Sequence, residues 1–486
     1  MLLSQLLKNV KYTSPSFSDR EIDDIVYDSR KASAGKLFTA LTGAFTDGHD
    51  YAESAYLKGA RVFVTERVLP LPSDATVIVT ENSRAALGVM SEEFFGHPEK
   101  EVDIVGVTGT KGKTTVTHML RHCLDECGIK SGVIGTVGAY YGDRFVPTVN
   151  TTPESYEIMR LLRMMADDGV KTVCMEVSSI GLKAHRTDGI EFAAAVFTNL
   201  SPDHIGGAEH DSFEEYAYWK KQLFRQCKKA YLCADDLFSD EIIKELTCPY
   251  ETFAVNTDAD MTADGIKPLG GSNFFGVSFN IECDGKTVAA KTAMPGVFNV
   301  ENALAAVSVC KGFGIPTEKA AAALATAKVK GRNECIPVDA DFDVIIDYAH
   351  NGQSFNSVLD TFSVYPHSRI ITVFGSVGDR AQLRRREMGE ISGRKADLSI
   401  ITSDDPGYED PMKIDEEIAD AVKKAGGECI IEPDRKTAVF KALDIAEKGD
   451  IVLILGKGHE TAQKIKGEKV HYSDHEMVEE YFRRKK

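Results

Sequence analysis

The chain contains 486 residues, of which 43% are hydrophobic and 27% are charged, and its formal net charge is −17. This length predicts about two to four domains, and the composition is typical of an ordinary globular protein. The excess of acidic residues excludes a nonspecific nucleic-acid surface and a surface for anionic membranes.

Neither a membrane helix nor a secretory signal is predicted. No apolar run approaches the roughly 20 residues that a membrane helix requires. The run of leucines at the start of the chain is too short, and too much interrupted by polar residues, for the apolar region of a secretory signal. The ten cysteines form no CxxC pair and lie mostly in apolar stretches, which predicts reduced, packed thiols. We expect a cytoplasmic, monomeric protein without nucleic-acid or membrane partners.

The predicted elements indicate an α/β fold of three domains. Residues 1–98 mix short strands and helices. Residues 99–330 contain mainly parallel strands that alternate with helices, and then less regular antiparallel strands at about 250–295. Residues 331–486 repeat the alternation in a Rossmann-like pattern that begins at a hinge, Gly331-Arg332. The predicted parallel strands are 102–107, 131–135, 170–177, 192–198 and 229–233 in the central domain, and 342–346, 369–374, 398–402, 429–431 and 450–455 in the last domain.

The first central strand leads into a glycine-rich turn at the start of a predicted helix. Backbone N–H groups of such a turn converge on phosphate oxygens, while a lysine reaches the β- and γ-phosphates and the next hydroxyl binds Mg²⁺. We therefore predict an ATP-binding P-loop domain with Lys113 as a catalytic residue. The strict motif has glycine at Val107, so a tight βα turn with an exposed lysine is the alternative. The predicted nucleotide contacts are Gly109, Thr110, Lys111, Gly112, Lys113, Thr114 and Thr115.

Polar motifs follow several predicted strands, at the sheet edge where ligands bind in open α/β folds. Glu176 and His204 each come directly after a strand of the sheet that carries the phosphate loop. We predict that both are catalytic and bind Mg²⁺ together with Thr114. Either one could instead be a loop residue in contact with water. Further motifs of this kind begin at Asn199, Asp347, Gly375, Ser403 and Gly456.

Two other patterns have ordinary structural explanations. The periodicity of residues 216–224 predicts an amphipathic helix with Lys220 and Lys221 exposed to solvent. Asn299 and Asn302 are explained equally well as a helix cap and a polar face residue.

Together, these motifs resemble the ATP-dependent Mur ligases of peptidoglycan synthesis, and among them the type that adds the third amino acid of the peptide. The similarity spans essentially the whole chain. It rests on the order and spacing of Asp28-Ser-Arg30, Asp47-Gly-His49, the phosphate loop, Asn150-Thr-Thr152, Glu176-Val-Ser-Ser179 with Arg186, Asn299-Val-Glu-Asn302, Gly331-Arg332, Asp347-Tyr-Ala-His350, Gly378-Asp-Arg380 and Gly456-Lys-Gly-His-Glu460.

The resemblance implies ATP and Mg²⁺ as cofactors and UDP-N-acetylmuramoyl-L-alanyl-D-glutamate as the acceptor. The D-glutamyl γ-carboxylate would be activated as an acyl phosphate and then joined to an amino acid. By the same resemblance, Asn302, Arg332 and Asp347 contact ATP, while Ser29 and His49 lie near the uridine diphosphate. The residues implied to hold the muramoyl dipeptide are Asn150, Thr151, Thr152, Ser178 and Arg186.

One lysine of the central domain is carbamylated in this family, which turns a cation into a carboxylate that helps a second Mg²⁺. The resemblance assigns this catalytic role to Lys220, with Lys221 as the neighbouring alternative. The chain departs from the family pattern after His204, where extra residues precede His210. The role of His210 therefore stays open.

The resemblance places amino-acid specificity at the loop Asp404-Asp-Pro-Gly407. Family members that use meso-diaminopimelate generally carry arginine at the position of Gly407, where it pairs with the second carboxylate of that substrate. Arg380 is implied to receive the α-carboxylate, and nearby acidic side chains attract a side-chain ammonium. We therefore expect L-lysine, with ornithine and meso-diaminopimelate as alternatives, although the loop could also be a simple turn. The other implied contacts of the amino acid are Asp404, Asp405, Gly456 and Glu460.

Two rival functions are separated by simple observations. An amide ligase of the folylpolyglutamate or cyanophycin type would not account for Asp28-Ser-Arg30, and folate rather than a muramoyl dipeptide would stabilise it. A nucleotide-binding scaffold would not release phosphate in response to an amino acid. The presence of Lys113, Glu176, His204 and Arg186 argues against such a scaffold.

Overall fold

The structure is a computed structural model that describes residues 1–485 except 15–16, 18, 44–45, 203–205, 207–208, 272 and 379–381. The chain forms two compact units. The first comprises Met1–Asp260 and Ser308–Phe313, and the second comprises Met261–Val307 and Gly314–Lys486. The predicted domain limits at 98/99 and 330/331 stay a prediction.

The N-terminal part of the first unit is a small α/β sheet structure. Its strands are β1 (Tyr12–Thr13), β2 (Asp24–Val26), β3 (Lys36–Thr39), β4 (Val62–Thr65) and β5 (Thr76–Thr80), and its helices are α1 (Leu3–Leu6), α2 (Ala52–Leu57) and α3 (Ser83–Phe95). The strand order is β1-β5-β4-β3-β2, parallel except for β1. Leu37, Val62 and Ile78 of the sheet pack in one core with Leu87 and Met90 of α3.

The remainder of the first unit carries the phosphate loop on a larger sheet. Its strands are β6 (Asp103–Thr108), β7 (Ser131–Gly135), β8 (Gly138–Tyr141), β9 (Arg144–Val146), β10 (Thr172–Glu176), β11 (Ala194–Phe197), β12 (Ala230–Cys233) and β13 (Tyr250–Ala254). Its helices are α4 (Lys113–Glu126), α5 (Ser155–Asp167), α6 (Ser179–Lys183), α7 (Phe213–Lys221) and α8 (Phe238–Ile243).

Within that unit the strand order is β13-β12-β11-β6-β10-β7-β8-β9. Only β8 and β9 run antiparallel to their neighbours. The central strand β6 is buried on both faces from Ile104 onward, as expected for a parallel strand covered by helices on both sides. The five strands predicted for this part are therefore confirmed, with limits that differ by at most two residues.

The second unit begins with an antiparallel meander and two helices. The strands are β14 (Met261–Gly271), β15 (Phe274–Cys283) and β16 (Lys286–Thr292), followed by α9 (Val297–Gly312), which belongs to this unit as far as Val307, and α10 (Thr317–Leu324). The pairing of β14 with β15 and of β15 with β16 is antiparallel. The prediction of antiparallel strands at about 250–295 is thus confirmed for residues 261–292, whereas β13 at the start of that stretch pairs in parallel with β12.

A six-stranded sheet forms the rest of the second unit. Its strands are β17 (Glu334–Ile336), β18 (Asp343–Asp347), β19 (Ile370–Phe374), β20 (Leu398–Ile401), β21 (Cys429–Ile431) and β22 (Ile451–Leu455), and a separate hairpin contains β23 (Ala462–Ile465) and β24 (Glu468–His471). Its helices are α11 (Gly352–Ser363), α12 (Gln382–Lys395), α13 (Pro411–Lys424), α14 (Arg435–Ile445) and α15 (Asp474–Lys485).

This sheet has the order β17-β18-β22-β19-β20-β21, and only β17 is antiparallel. Successive residues of β18 enter opposite cores, since Ile345 packs with α11 while Val344 and Ile346 pack with α14. Helices therefore cover both faces, and the polar residues that follow the strands are left at one edge.

Two sequence expectations concern the chain as a whole. The ten cysteines are thiols and not disulfides, as predicted. In the described part of the chain, none of the helices combines the length and apolarity needed to cross a bilayer.

Candidate active site

The phosphate loop joins β6 to α4 in the first unit. Gly109 has φ +153° and Gly112 has φ +86°, conformations that residues with a Cβ atom rarely adopt. A Cβ atom on Gly109 would also lie 1.9 Å from the hydroxyl oxygen of Thr198. Because α4 begins at Lys113, with Thr115 buried in its first turn, the positive end of the helix faces the loop. The loop therefore has the backbone that a phosphate site needs.

Two lysines meet at one carbonyl of this loop. Lys113 Nζ donates to Gly109 O at 2.8 Å, and Lys220 Nζ donates to the same oxygen at 2.7 Å. Lys220 is only 1% exposed, so the prediction that it faces solvent is wrong. Its neighbour Lys221 instead pairs with Glu245 at 2.5 Å. The position of α7 thus separates two lysines that are equivalent by sequence periodicity.

Glu176 ends β10 beside the loop strand, where its register partner is Val107. Its buried Oε2 accepts hydrogen bonds from the hydroxyls of Thr114 at 3.0 Å and Thr136 at 3.1 Å. Carboxylate and hydroxyl oxygens next to a phosphate loop are the ligands that Mg²⁺ prefers. The structure therefore brings two predicted metal ligands together, and their chemistry fits the ion. His204, the third, lies outside the described residues.

Residues after β11 hold the loop in place. Asn199 Oδ1 accepts the backbone N–H of Lys111 at 2.9 Å, and the Thr198 hydroxyl donates to Lys111 O at 2.6 Å. The Thr110 hydroxyl donates to Ser201 O at 3.2 Å. The sequence marks Asn199 as the start of a polar motif but gives it no role, because its partner is 88 residues away.

Predicted dipeptide contacts gather beside Glu176. The hydroxyl of Thr152 donates to Glu176 O at 2.9 Å and accepts the backbone N–H of Ser178 at 2.9 Å. Arg186 donates to Thr152 O at 2.9 Å and to Glu154 Oε1 at 2.7 Å. These bonds join the loop after β9 to the start of α6, so that Thr152, Ser178 and Arg186 form one rigid group.

Glu154 is a member of this group that the sequence does not reveal. Both of its oxygens lie 2.8 Å from Arg84 Nη1, so one carboxylate is shared between Arg84 and Arg186. The group keeps a net positive charge, which suits a carboxylate ligand. Thr151 accepts a hydroxyl hydrogen bond at 3.0 Å, and Asn150 is exposed on the same loop.

His49 and Ser29 lie in the N-terminal part, each in a single helical turn. Ring Nε2 of His49 accepts the Glu66 N–H at 2.9 Å, which leaves Nδ1 to donate to Asp47 Oδ1 at 2.6 Å. Hydrogen bonds from the His49 backbone and ring lower the pKa of Asp47 to about 2. Both ring nitrogens are thus used within the fold. Ser29 is half-buried, and its carbonyl accepts from Lys58 at 3.1 Å.

In the second unit, Asp347 organises the loops around the end of β18. Its oxygens accept the backbone N–H groups of Asn333 at 2.6 Å and Ala349 at 2.7 Å. Burial raises the pKa of Asp347 despite the nearby charge of Arg332. The Arg332 guanidinium lies 4.7 Å from the centre of the Tyr348 ring. These contacts hold two of the predicted ATP contacts close together.

Asn302 and Asn299 are both buried within α9. Asn302 donates to Asn299 Oδ1 at 3.0 Å, and Asn299 donates to Pro295 O at 2.7 Å. The prediction that these residues are a helix cap and a polar face residue is therefore wrong, because both side chains are buried.

The predicted amino-acid contacts surround a buried lysine that the sequence interpretation missed. Lys457 Nζ lies 2.6 Å from Glu460, 2.8 Å from Asp405 and 3.5 Å from Asp404. Although burial opposes it, the charge of these carboxylates raises the pKa of Lys457. Gly456 is required beside it, since a Cβ atom there would lie 2.6 Å from Asp404 Oδ2. Three carboxylates around one ammonium leave an excess of negative charge that suits a second ammonium.

The position of Lys457 within Gly456-Lys-Gly-His-Glu460 was the available signal for its role. From this motif, the resemblance implies a contact with the amino acid for Gly456 and Glu460 but not for Lys457. Arg380, predicted to receive the α-carboxylate, lies outside the described residues.

Comparison with protein families accounts for these motifs. Residues 107–310 match the Mur ligase middle domain, residues 331–458 match the Mur ligase glutamate ligase domain, and residues 21–103 match the Mur ligase family catalytic domain. The chain belongs to the Mur ligase family. It is an ATP-dependent amide ligase of peptidoglycan synthesis, which confirms the resemblance inferred from the sequence.

Relatives of this Mur ligase match along nearly its whole length. A protein of Caldanaerobacter subterraneus subsp. tengcongensis is 39% identical, and the alignment covers 99% of this chain and 98% of that protein. A Clostridium botulinum protein is 35% identical, and 99% of each chain is covered. Both are named UDP-N-acetylmuramoyl-L-alanyl-D-glutamate 2,6-diaminopimelate ligase.

Solved structures confirm the predicted fold class of this Mur ligase, a three-domain α/β fold with a mainly parallel central sheet. A structure of a UDP-N-acetylmuramoyl-L-alanyl-D-glutamate 2,6-diaminopimelate ligase is 27% identical with a TM-score of 0.67, and it covers 98% of this chain and 99% of its own. Thermotoga maritima MurF ligase in complex with ADP has a TM-score of 0.61 at 18% identity, covering 95% and 97% respectively. The second likeness concerns the fold alone.

Proposed function

We propose that this Mur ligase joins meso-diaminopimelate to the D-glutamyl γ-carboxylate of UDP-N-acetylmuramoyl-L-alanyl-D-glutamate, with hydrolysis of ATP to ADP and phosphate. The observation that carries the choice of amino acid is the name shared by the full-length relatives, including the 39% identical one. These names favour the alternative prediction over L-lysine, which was expected from the missing arginine at Gly407 and from the acidic side chains nearby.

The phosphate loop supports the use of ATP. N–H groups of the loop and the positive end of α4 favour binding of the triphosphate. The Lys113 ammonium, which donates to the Gly109 carbonyl, would contact the γ-phosphate instead when ATP binds. We further propose that Asn302, Arg332 and Asp347 contact the nucleotide. The fixed loops around Asp347 support this assignment, because preorganised groups lose little entropy on binding.

Thr114 and Glu176 would hold Mg²⁺, with His204 as a further proposed ligand. When bound, the ion neutralises negative charge on the phosphates during transfer. We propose that Lys220 is carbamylated. Its burial at the phosphate loop supports this, since the modification would replace a buried ammonium with a carboxylate at a cation site.

The acceptor ends in a D-glutamyl group that carries negative charge, and the first unit has a pair of arginines, Arg84 and Arg186, that could bind it. We propose that Thr152, Ser178 and Arg186 hold the dipeptide, and that Asn150 and Thr151 contact it from the same loop. Within the described part of the chain, Arg84 and Arg186 share the single carboxylate of Glu154, so one positive charge of the pair would be available to a D-glutamyl carboxylate. Ser29 and His49 are proposed to border the uridine diphosphate, His49 through its carbon atoms or backbone.

The chemistry follows from these placements. An oxygen of the γ-carboxylate attacks the γ-phosphorus of ATP, the bond to ADP breaks, and an acyl phosphate forms. The neutral amine of the amino acid then attacks the acyl carbon, the bond to phosphate breaks, and one proton leaves the nitrogen. Lys113 and the loop N–H groups stabilise the charge that develops during transfer.

The carboxylates around Lys457 support binding of a diamino acid. Asp404, Asp405 and Glu460 carry more negative charge than Lys457 neutralises. They would bind the ammonium that does not react, while Arg380 is proposed to receive the α-carboxylate beside the reacting amine. A cytoplasmic location and a monomeric state remain predictions.

Product analysis tests the proposal directly. The purified protein is incubated with ATP, Mg²⁺ and the muramoyl dipeptide, together with meso-diaminopimelate, L-lysine or ornithine, and each product is identified by mass. We expect amide product and amino-acid-dependent phosphate release with meso-diaminopimelate at the highest kcat/KM. A higher kcat/KM for L-lysine or ornithine would overturn the proposed amino acid, and the absence of any amide product would overturn the reaction.

A further inference from the structure

The proposed amino acid has a second carboxylate, and position 407 offers it no side chain. Gly407 has φ +60°, a conformation suited to glycine rather than to arginine. Lys457 is already surrounded by carboxylates, and the buried Arg435 is paired with Asp474 at 2.9 Å. The carboxylate of a diamino diacid therefore requires another cation near Asp405.

The hairpin β23–β24 brings lysines to this position. Gly407 N donates to Lys464 O at 3.2 Å, and Lys466 N donates to Gly407 O at 2.8 Å. The backbone N–H of Lys464 also donates to Asp405 Oδ1 at 3.0 Å. The backbone of Lys464 is thus adjacent both to Gly407 and to the carboxylate of Asp405.

A second lysine lies directly across the hairpin. Lys464 on β23 is the register partner of Lys469 on β24, so both side chains project from the same face and both are exposed. Like charges directly opposite each other destabilise an antiparallel pair. Among the described residues, neither ammonium has a carboxylate within 4 Å. A bound anion would relieve this repulsion.

We propose that Lys464 and Lys469 form the site for the second carboxylate of the amino acid, in place of a side chain at position 407. This inference rests on the proposed function. In meso-diaminopimelate the distal ammonium and carboxylate are attached to one carbon, so their sites must be neighbours. The hydrogen bond from Lys464 to Asp405 joins the cationic hairpin to the carboxylates around Lys457, as this substrate requires.

Kinetics of lysine variants test the site. Lys464→Met and Lys469→Met remove one charge each and keep the length of the side chain. As a control, Lys448→Met removes an exposed lysine that precedes β22, outside the hairpin. We expect each hairpin variant to raise KM for meso-diaminopimelate about tenfold, because each variant removes one charged hydrogen bond to the second carboxylate. The kcat and the KM values for ATP and the muramoyl dipeptide should stay within about twofold.

L-Lysine provides the internal comparison because it lacks the second carboxylate. Its KM should be the same in the wild type, the hairpin variants and the Lys448→Met control. Equal changes for both amino acids, or unchanged KM for meso-diaminopimelate, would overturn the lysine site. Melting temperatures equal to that of the wild type would show that the hairpin remains folded.

The two proposals fail in different ways. If the wild type makes no product with meso-diaminopimelate, the proposed amino acid is wrong. If the wild type makes that product and the hairpin variants match it, only the assignment of Lys464 and Lys469 is wrong.

Discussion

At the scale of single residues, Lys113 is the side chain on which phosphate transfer depends most directly. Its ammonium lies 2.8 Å from Gly109 O at the start of α4. Lys113→Ala should lower kcat by about a thousandfold or more, because a fixed positive charge at the transferred phosphate is lost. Amino-acid-dependent release of phosphate measures this effect.

The matched control for Lys113 is Lys130→Ala, an exposed lysine that precedes β7. It should keep wild-type activity. Comparable activity of Lys113→Ala and the wild type would contradict the assigned role of the phosphate loop.

Lys220 offers a second test, since its burial distinguishes it from Lys221. If Lys220 is carbamylated, Lys220→Ala should lower kcat about a hundredfold, and added acetate or formate should restore part of the activity by supplying a carboxylate in the gap. Lys221→Ala, which loses the pair with Glu245, should stay near the wild type. Mass spectrometry of the intact wild type should show the added carbon dioxide. Loss of activity without rescue by either acid would contradict carbamylation.

Lys457 and its three carboxylates make a third test. Lys457→Met keeps the length of the side chain but leaves Asp404, Asp405 and Glu460 without a counter-ion, so their mutual repulsion should displace them. We expect KM for the amino acid to rise more than tenfold, while KM for ATP changes by less than about threefold. Equal increases in both constants would indicate general loss of structure instead.

At the scale of elements, α13 contains a buried acidic residue, Asp415, that lowers the stability of the folded protein at neutral pH. Asp415 is fully buried, and neither of its oxygens has a hydrogen-bond partner among the described residues. Burial raises the pKa of Asp415 from 3.8 to about 7. The folded state therefore binds a proton more tightly than the unfolded state between about pH 4 and pH 7. Its stability falls as the pH rises through that range.

Replacement of this carboxyl gives a prediction with a definite sign. Asp415→Asn should be more stable than the wild type at pH 8 by about 2 kcal/mol, and the gain should shrink at pH 5. Thermal melting at both pH values measures it. Asp420→Asn, an exposed change in the same helix, should show no such dependence on pH. A gain for Asp415→Asn that is larger at pH 5 would contradict the burial argument.

At the scale of the whole molecule, activity and stability should respond differently to removal of Mg²⁺. Glu176 is satisfied by the Thr114 and Thr136 hydroxyls, and the Thr136 N–H donates to it at 2.9 Å. The fold therefore does not need a cation to compensate this buried carboxylate. Excess EDTA should abolish product formation and shift Tm by less than about 2 °C. A large fall in Tm would show that the ion is part of the fold.

The fold was largely predictable because its signals are local. Runs such as 104–107 and 451–455 consist of apolar β-formers, with one glycine in the first run. This is the pattern of strands buried on both faces, and each run is followed by polar or glycine-rich turns. The phosphate loop was predictable for the same reason, since its glycines, lysine and threonines are consecutive. Periodicity failed at Lys220, because a helix face that follows the amphipathic rule can still be covered by a distant loop.

The sequence by itself determined the α/β class, the phosphate loop and the family, because these depend on the order of neighbouring residues. The tertiary structure decided which lysine reaches the loop, which hydrogen bonds the two ring nitrogens of His49 form, and which carboxylates surround Lys457. Lys457 meets Asp405 from 52 residues away, and Lys220 meets Gly109 from 111 residues away. Contacts over such separations are set by the packing of whole elements, and short-range patterns carry no information about them.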